Sequence, residues 1–213
     1  MAVATLFCLA ACGSGDDAPA DPAAESTAAE PAQGLAAFLD AQPDDVKARY
    51  AHRHPLETLQ FFGIEPGMTV VEGLPGRGWY SRILLNYLGP DGTLIGVNYS
   101  MDMWPLFPFA NEEFLARMEN WIDGYSAQMQ EVMTENSASL KAFYFGSMPE
   151  SLAGTADVVF FPRVLHNLAN FQNNGKGDFL DIALADAYAI LKPGGTFGVV
   201  QHEAREDKSD AFA

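Results

Sequence analysis

Residues Val70–Gly89 read "VVEGLPGRGWYSRILLNYLG". Within this stretch the pattern changes from strand to helix. Pro66-Gly67 is a turn, and Met68 to Val71 is a short β-like run after it. Gly76 and Gly78 then form a Gly-x-Gly turn. Beyond them Ile83, Leu84, Tyr87 and Leu88 recur at helical spacing, and Gly89 ends the helix. "PDG" turns the chain again, and "TLIGVNYS" is a second strand ending near Asn98. Strand, glycine turn, helix and strand in one short span make a βαβ unit, whose strands should be parallel and whose crossover should be right-handed.

The same alternation continues outward. Phe109 to Ser137 reads as mostly helical, with Phe114, Met118, Trp121, Ile122 and Tyr125 close to one stripe. "LKAFYFG" is a third strand and Asp157 to Phe161 a fourth, passing into a loop or helix. "FLDIALADAYAILKPGG" is a helix closed by Lys192, Pro193 and Gly194, and "TFGVVQHEA" is a fifth strand. Upstream, "DDVKARYAHRHPLETLQFFG" is helical, with Asp44-Asp45 as its cap region, Pro55 in a first turn and Gly63 as a stop. The segment "NYSMDMWPLFPFA" has no period and reads either as a packed loop or as a cover for a ligand. "NFQNNGKGDF" reads as a surface loop. Together these predict an α/β fold with a mostly parallel sheet.

The chain has 213 residues, 48% hydrophobic and 19% charged, which suits one globular domain with a real core. Its net charge of −16 disfavours nucleic acid and anionic membranes as partners. Arg77, Arg82, Arg163 and Lys192 lie scattered along the sequence and form no evident basic patch. With Cys8 and Cys12 as the only cysteines, there is neither a disulfide framework nor a zinc motif, and no metal site is expected.

The N-terminus has two readings. "MAVATLFCLAACGSG" resembles the apolar region and lipobox of a bacterial lipoprotein signal, residues 1–12, with Cys12 as the acylated residue. Residues 13–34 would then be an acidic, Ala/Pro-rich linker, and 35–213 the folded domain on the outer side of a membrane. The first 46 residues hold no Lys or Arg, so the basic region of a signal is missing. The alternative is a disordered N-terminus on a cytoplasmic protein.

Open parallel sheets bind ligands beyond the carboxyl ends of their strands. That selects Glu72 to Tyr80, Asn98 to Met101, Gly146 to Met148, Pro162 to His166, and Gln201 to Glu203. The Gly76–Gly78 turn is either a ligand turn or a purely structural one. No Gly-x-x-x-x-Gly-Lys-Ser/Thr phosphate loop is present, and "GRGWYS" lacks the last glycine of a dinucleotide turn. His166 is either a general base or a packing histidine. Tyr80 and Arg163 either line an entrance or cover the turn. His52 and His54, flanking Arg53, either reach over the site or stay on the surface.

The blocks "HRHPLETLQFFGIEPGMTVVEGLPGRGWYSRILLNYLGPDGTLIGVN", "ADVVFFPRVLHNL" and "AYAILKPGGTFGVV", in that order, resemble a class I S-adenosylmethionine-dependent methyltransferase, of the bacterial group described only as predicted methyltransferases. The resemblance runs from Arg49 to Glu203. It implies a Rossmann-like, three-layer α/β/α fold, S-adenosylmethionine as cofactor and a small-molecule acceptor. Glu72, Gly76 and Gly78 match the residues that hold the cofactor's amino-acid end. Asn98 stands where an acid usually holds the ribose, and Ser147 and Met148 match the loop meeting the adenine. Leu74 replaces a family glycine. His166 is the candidate catalytic base. Such folds add two further strands after the fifth, where only "REDKSDAFA" follows here. The alternative function is an exported lipoprotein using the same fold as a non-enzymatic binding module.

Overall fold

The structure is a computed structural model and describes residues 31–203. The proposed signal, Cys8, Cys12 and most of the proposed linker lie outside the described residues. The helix α1 (Pro31–Asp40) begins four residues before Leu35, inside the span read as linker.

Three short helices follow, α2 (Asp44–Lys47), α3 (Tyr50–Arg53) and α4 (Pro55–Phe61). Pro55 occupies the first helical position of α4, where its missing N–H costs nothing. Asp44 and Asp45 do not cap α2. They form its first turn, behind Pro43, where their charge suits the helix dipole. The strand β1 (Thr69–Gly73) leads through the glycine turn into α5 (Trp79–Tyr87), and β2 (Thr93–Asn98) ends where the sequence predicts.

The region read as one long helical stripe is two helices, α6 (Glu112–Glu119) and α7 (Trp121–Gln130). Asn120 breaks the helix between them and caps the first by donating from Nδ2 to the Ala116 carbonyl at 2.9 Å. Asn111 starts α6 by accepting from the Phe114 N–H at 2.8 Å. The break splits the apolar residues. Phe114 packs on Trp104 and Phe109, while Trp121 stacks on Tyr125 at 5.0 Å.

The remaining elements are β3 (Ser139–Tyr144), β4 (Ala156–Pro162), α8 (Leu165–Asn173), α9 (Phe179–Ile190) and β5 (Leu191–Val200). Helix α8 runs into the "NFQN" segment that reads as surface loop, and α9 ends at Ile190, before Lys192-Pro193-Gly194. Those residues instead enter β5 through an irregularity opposite Ala156–Val158, with Gly194 at φ 83°.

All five strands are parallel, in the order β3-β2-β1-β4-β5. The chain winds outward from β1 in one direction to β3, then returns to the centre and winds the other way to β5. Asp157 fastens the opposite edge of this sheet, accepting from the Thr69 N–H at 2.9 Å and from Lys192 Nζ at 2.6 Å.

Side chains alternate across the sheet with the period of a strand. Val70, Val158 and Phe160 face one core with Leu35, Leu59, Leu84 and Met129. Val71, Val159 and Phe161 face the other with Leu168, Phe179 and Ala183. This is the three-layer α/β/α arrangement expected. The "NYSMDMWPLFPFA" segment packs against the second core through Tyr99 and Met103, both nearly inaccessible. None of its residues lines the cavity described below.

Two glycines show what packing demands. A Cβ on Gly96 would stand 2.6 Å from the Tyr125 ring, whereas one on Gly124, in α7, would meet nothing within 4 Å. Gly96→Val should therefore destabilise by about 1–3 kcal/mol. Gly124→Ala should stabilise by about 0.5–1 kcal/mol through helix propensity. Urea denaturation of both variants checks the opposite signs.

Candidate functional site

The two central strands end side by side, and both ends bend in the same unusual way. After β1, Leu74 has φ 50° and donates its N–H to the Val97 carbonyl of β2 at 2.7 Å. After β4, Arg163 has φ 63° and donates its N–H to the Val200 carbonyl of β5 at 2.6 Å. Left-handed backbone at a non-glycine residue costs about 1–3 kcal/mol and concentrates at functional sites. Each residue makes one last bond to its outer neighbour and then turns away. The chains from β1 and β4 thus part, and a crevice opens where the strand order reverses.

A cavity of about 420 Å³ fills that crevice. Glu72, Leu74, Pro75, Gly76 and Arg77 form one wall, and Pro162, Arg163 and His166 the other. Arg49, Arg53, Trp79 and Tyr80 close it from the helical side, with His202 beyond β5. The volume suits a small ligand.

Glu72 lies at the floor with 1% of its surface exposed. Its Oε2 accepts from Ser81 Oγ of α5 at 2.6 Å. Burial pushes the carboxyl up to about 7, against the opposing effect of the Ser81 bond. The ring of Tyr125 covers Gly96, which is the register partner of Glu72 on β2. Its buried hydroxyl makes no well-formed hydrogen bond among the described residues, and burial, then the neighbouring Glu72 charge, raises its pKa far above the ordinary range, opposed by the nearby Ser81 hydroxyl. Tyr80 donates its hydroxyl to the Arg53 carbonyl at 3.0 Å, and its pKa is pushed up to about 12, mainly by burial.

The two glycines of the turn differ in role. Gly76 has φ 61°, and a Cβ there would find only the Leu74 carbonyl, 3.9 Å away, so its backbone is open to the cavity. Gly78 has φ 69° at the head of α5, and a Cβ there would meet Met129 Cε at 2.6 Å. Gly78 is favoured by its left-handed backbone, with the end of the Met129 side chain close by, and does not line the cavity. The Arg77 carbonyl also accepts from Gln128 Nε2 at 2.9 Å, which ties the turn to α7.

Asn98, Ser147 and Met148 stand at the ends of β2 and β3, on the same sheet edge but outside the cavity lining. Asn98 Oδ1 accepts from the Tyr99 N–H at 2.9 Å. Ser147 Oγ donates to the Tyr144 carbonyl at 2.7 Å, and Met148 packs on the second core. An acid that sequence reading passes over, Asp186 of α9, holds this loop by accepting from the Gly146 N–H at 2.7 Å.

His166 lines the cavity, as do Tyr80 and Arg163, whereas His52 and His54 are exposed and do not. Its Nδ1 lies 3.3 Å from Gln201 Nε2, and its ring lies 6.3 Å from that of His202. Burial lowers its pKa, helped by His202 and Arg163 and opposed by Gln201. The imidazole is therefore neutral at pH 7. With the Gln201 amide donating to Nδ1, the ring proton sits on Nε2. With that amide turned over, it sits on Nδ1 and Nε2 becomes an acceptor.

One expectation from the sequence is corrected. Arg77 and Arg163 are not scattered in space. They meet Arg49 and Arg53 around one cavity, so a third of the chain's 12 Lys and Arg residues gather there. Arg49 and Arg53 lie four residues apart in "RYAHR", the spacing of one helical turn, which is the only sign of this the sequence offers. Among the described residues no cluster of His, Cys, Asp and Glu could hold a metal ion, and no helix is long and apolar enough to cross a membrane.

No protein-family model and no curated protein matches the chain. Solved structures do. A SAM-dependent methyltransferase from Aquifex aeolicus is 20% identical over 71% of this chain and 68% of its own, with a TM-score of 0.46. An arsenic(III) S-adenosylmethionine methyltransferase from Chlamydomonas reinhardtii is 18% identical over 77% of this chain and 48% of its own, with a TM-score of 0.36. The YcgJ protein of Bacillus subtilis is 20% identical over 73% of this chain and 53% of its own, with a TM-score of 0.43. The chain thus spans from about half to about two thirds of the length of these structures.

Glu72 makes stability depend on pH. Unfolded, its carboxyl loses its proton near 4.5, and folded, near 7. Between those values the folded state holds the extra proton, so stability falls as pH rises, by about 3 kcal/mol across the window. Glu72→Gln keeps an acceptor for Ser81 and cannot ionise. It should melt well above wild type at pH 8 and match it near pH 4.5. Equal melting temperatures at pH 8 would show that Glu72 ionises in the fold without cost.

Proposed function

We propose that the chain is an S-adenosylmethionine-dependent methyltransferase acting on a small-molecule acceptor. One observation carries this reading. A buried carboxyl and an open glycine turn stand together at the reversal point of a parallel sheet, on a cavity of about 420 Å³. The fit is best at the turn, where Gly76 presents bare backbone and Glu72 lies directly behind it. These two residues would hold the cofactor's amino-acid end, Asn98 its ribose, and Ser147 with Met148 its adenine. When bound, the cofactor supplies a methyl group activated on a sulfonium.

The chain's own residues then have distinct tasks. Trp79, Tyr80 and Pro162 exclude water from the crevice. His166, neutral at pH 7, takes a proton from the acceptor through Nε2 when the Gln201 amide turns its oxygen to Nδ1. The turn does not favour a dinucleotide instead, because Ser81 occupies the place of the last glycine and is committed to Glu72.

A second reading is a binding module that has kept the fold and lost the cofactor. Leu74 in the turn favours it, as does Asn98, whose Oδ1 is spent on its own neighbour's N–H. The N-terminal reading extends either function. An acylated Cys12 would tether the domain on the outer side of a membrane, and mass spectrometry of the mature N-terminus would show the lipid or its absence.

Titration calorimetry of the full chain with S-adenosylhomocysteine decides between the two readings. Saturable heat is expected, weakened about tenfold or more by Gly76→Ala, which places a methyl group on the open backbone. No heat, together with no protection from melting, would favour the binding module.

A further inference from the structure

We infer that the cavity is a site for a small oxyanion, a molecule bearing a carboxylate or phosphate group, held by Arg53 and Arg163. As the class of acceptor this rests on the methyltransferase reading; as a binding property it does not.

Arg49, Arg53, Arg77 and Arg163 surround a single cavity. Among the described residues, ion pairs engage Lys47, Arg82 and Lys192, and none of these four. Nor, among the described residues, does any acceptor take a hydrogen bond from these four guanidinium groups. Two of them lie within cation–π range of aromatic rings. Arg49 lies 5.9 Å from the centre of the Trp79 ring, and Arg53 lies 5.8 Å from Trp79 and 5.9 Å from Tyr80. A guanidinium with no such acceptor keeps its N–H groups for a ligand, and those donors match the paired oxygens of a carboxylate or phosphate.

Arg53 and Arg163 are the half-buried members, one on each side of the crevice, so a bound group between them would be shielded from solvent. Arg163 also adopts a left-handed backbone that an arginine rarely takes. Glycine would hold that turn without strain, so the guanidinium is the feature the position retains. His166 and His202 stand beside it. The one acidic side chain in the lining is Glu72, buried and bonded to Ser81. Four cations facing one buried acid attract an anion, which on the methyltransferase reading is the oxyanion group of the acceptor.

The test uses the full chain, with inorganic phosphate and malonate as probes against chloride at matched ionic strength. At least one probe should raise the melting temperature saturably, and which one does so tells phosphate from carboxylate chemistry. Arg53→Gln and Arg163→Gly should each weaken that binding about tenfold or more, the loss expected for a charge-assisted contact. Arg163→Gly suits the left-handed turn, so the fold should survive it. Arg82→Gln, whose guanidinium pairs with Asp45 outside the cavity, should leave binding unchanged. The inference fails if neither probe gives a saturable shift, or if the two cavity variants bind like wild type. It also fails if S-adenosylhomocysteine displaces the probe, because the arginines would then serve the cofactor's own carboxylate. Binding of S-adenosylhomocysteine without anion binding overturns this inference alone. Anion binding without S-adenosylhomocysteine upholds the anion site and overturns the methyltransferase reading.

Discussion

The two hydrogen bonds that end the central strands, Leu74 N–H to Val97 and Arg163 N–H to Val200, set the geometry on which the site depends. They are the last rungs of two ladders that run in opposite directions across the sheet. Without them the chains leaving β1 and β4 would have no reason to part. At both rungs a positive φ turns the chain away after the bond, and both are made by residues with a full side chain. The strain is sustained because β1 and β4 are buried on both faces and cannot shift to relieve it. Leu74 and Arg163 then put to use what a glycine lacks. One packs against the second core and the other places a charge on the crevice.

The same rigidity explains Glu72. A carboxyl on an interior strand cannot reach water, and the structure gives it one bond, from Ser81. Helix α5 brings that serine after the left-handed turn that Gly78 makes at its head. The orphaned hydroxyl of Tyr125 belongs to the same small polar island inside an apolar core. Such islands are costly unless fully satisfied, and this one is only partly satisfied. A buried carboxyl with a single hydrogen bond has bonding capacity left for a ligand. That makes Glu72 a better candidate for function than its depth alone would suggest.

The fold was largely legible in the sequence. The switch from strand to helix period across Val70–Gly89 located β1, the turn and α5, and β2 ended at Asn98 as read. Periodicity failed where one residue interrupts a pattern, as Asn120 does between α6 and α7. It also failed at Lys192-Pro193-Gly194, which reads as a helix stop and lies in the entry to β5. The site was legible only in part. Glu72, Gly76 and His166 follow strands, and the rule for parallel sheets finds such residues. Gly78 was chosen for the same reason, yet its neighbour is Met129 and not the cavity. Arg49 and Arg53 follow no strand. They come from a helical segment whose position over the sheet depends on packing, as in the Trp79 indole donating to the Val46 carbonyl at 3.1 Å. No local pattern encodes that.

Net charge gave the most misleading signal, and the reason is one of length scale. At −16 the molecule as a whole repels anions, and a polyanion lying across its surface would feel that repulsion along its length. A small anion in the crevice does not. Screening at physiological salt limits exposed charges to about 8 Å, so an ion held between Arg53 and Arg163 responds to the cavity's cations more than to the distant acids. The acidic exterior and the basic cavity therefore act on different length scales, and among the described residues the cavity's guanidinium groups make none of the ion pairs. A sum over the sequence averages these two regions into a single number. Only the fold, by bringing residues 49, 53, 77 and 163 to one place, separates them.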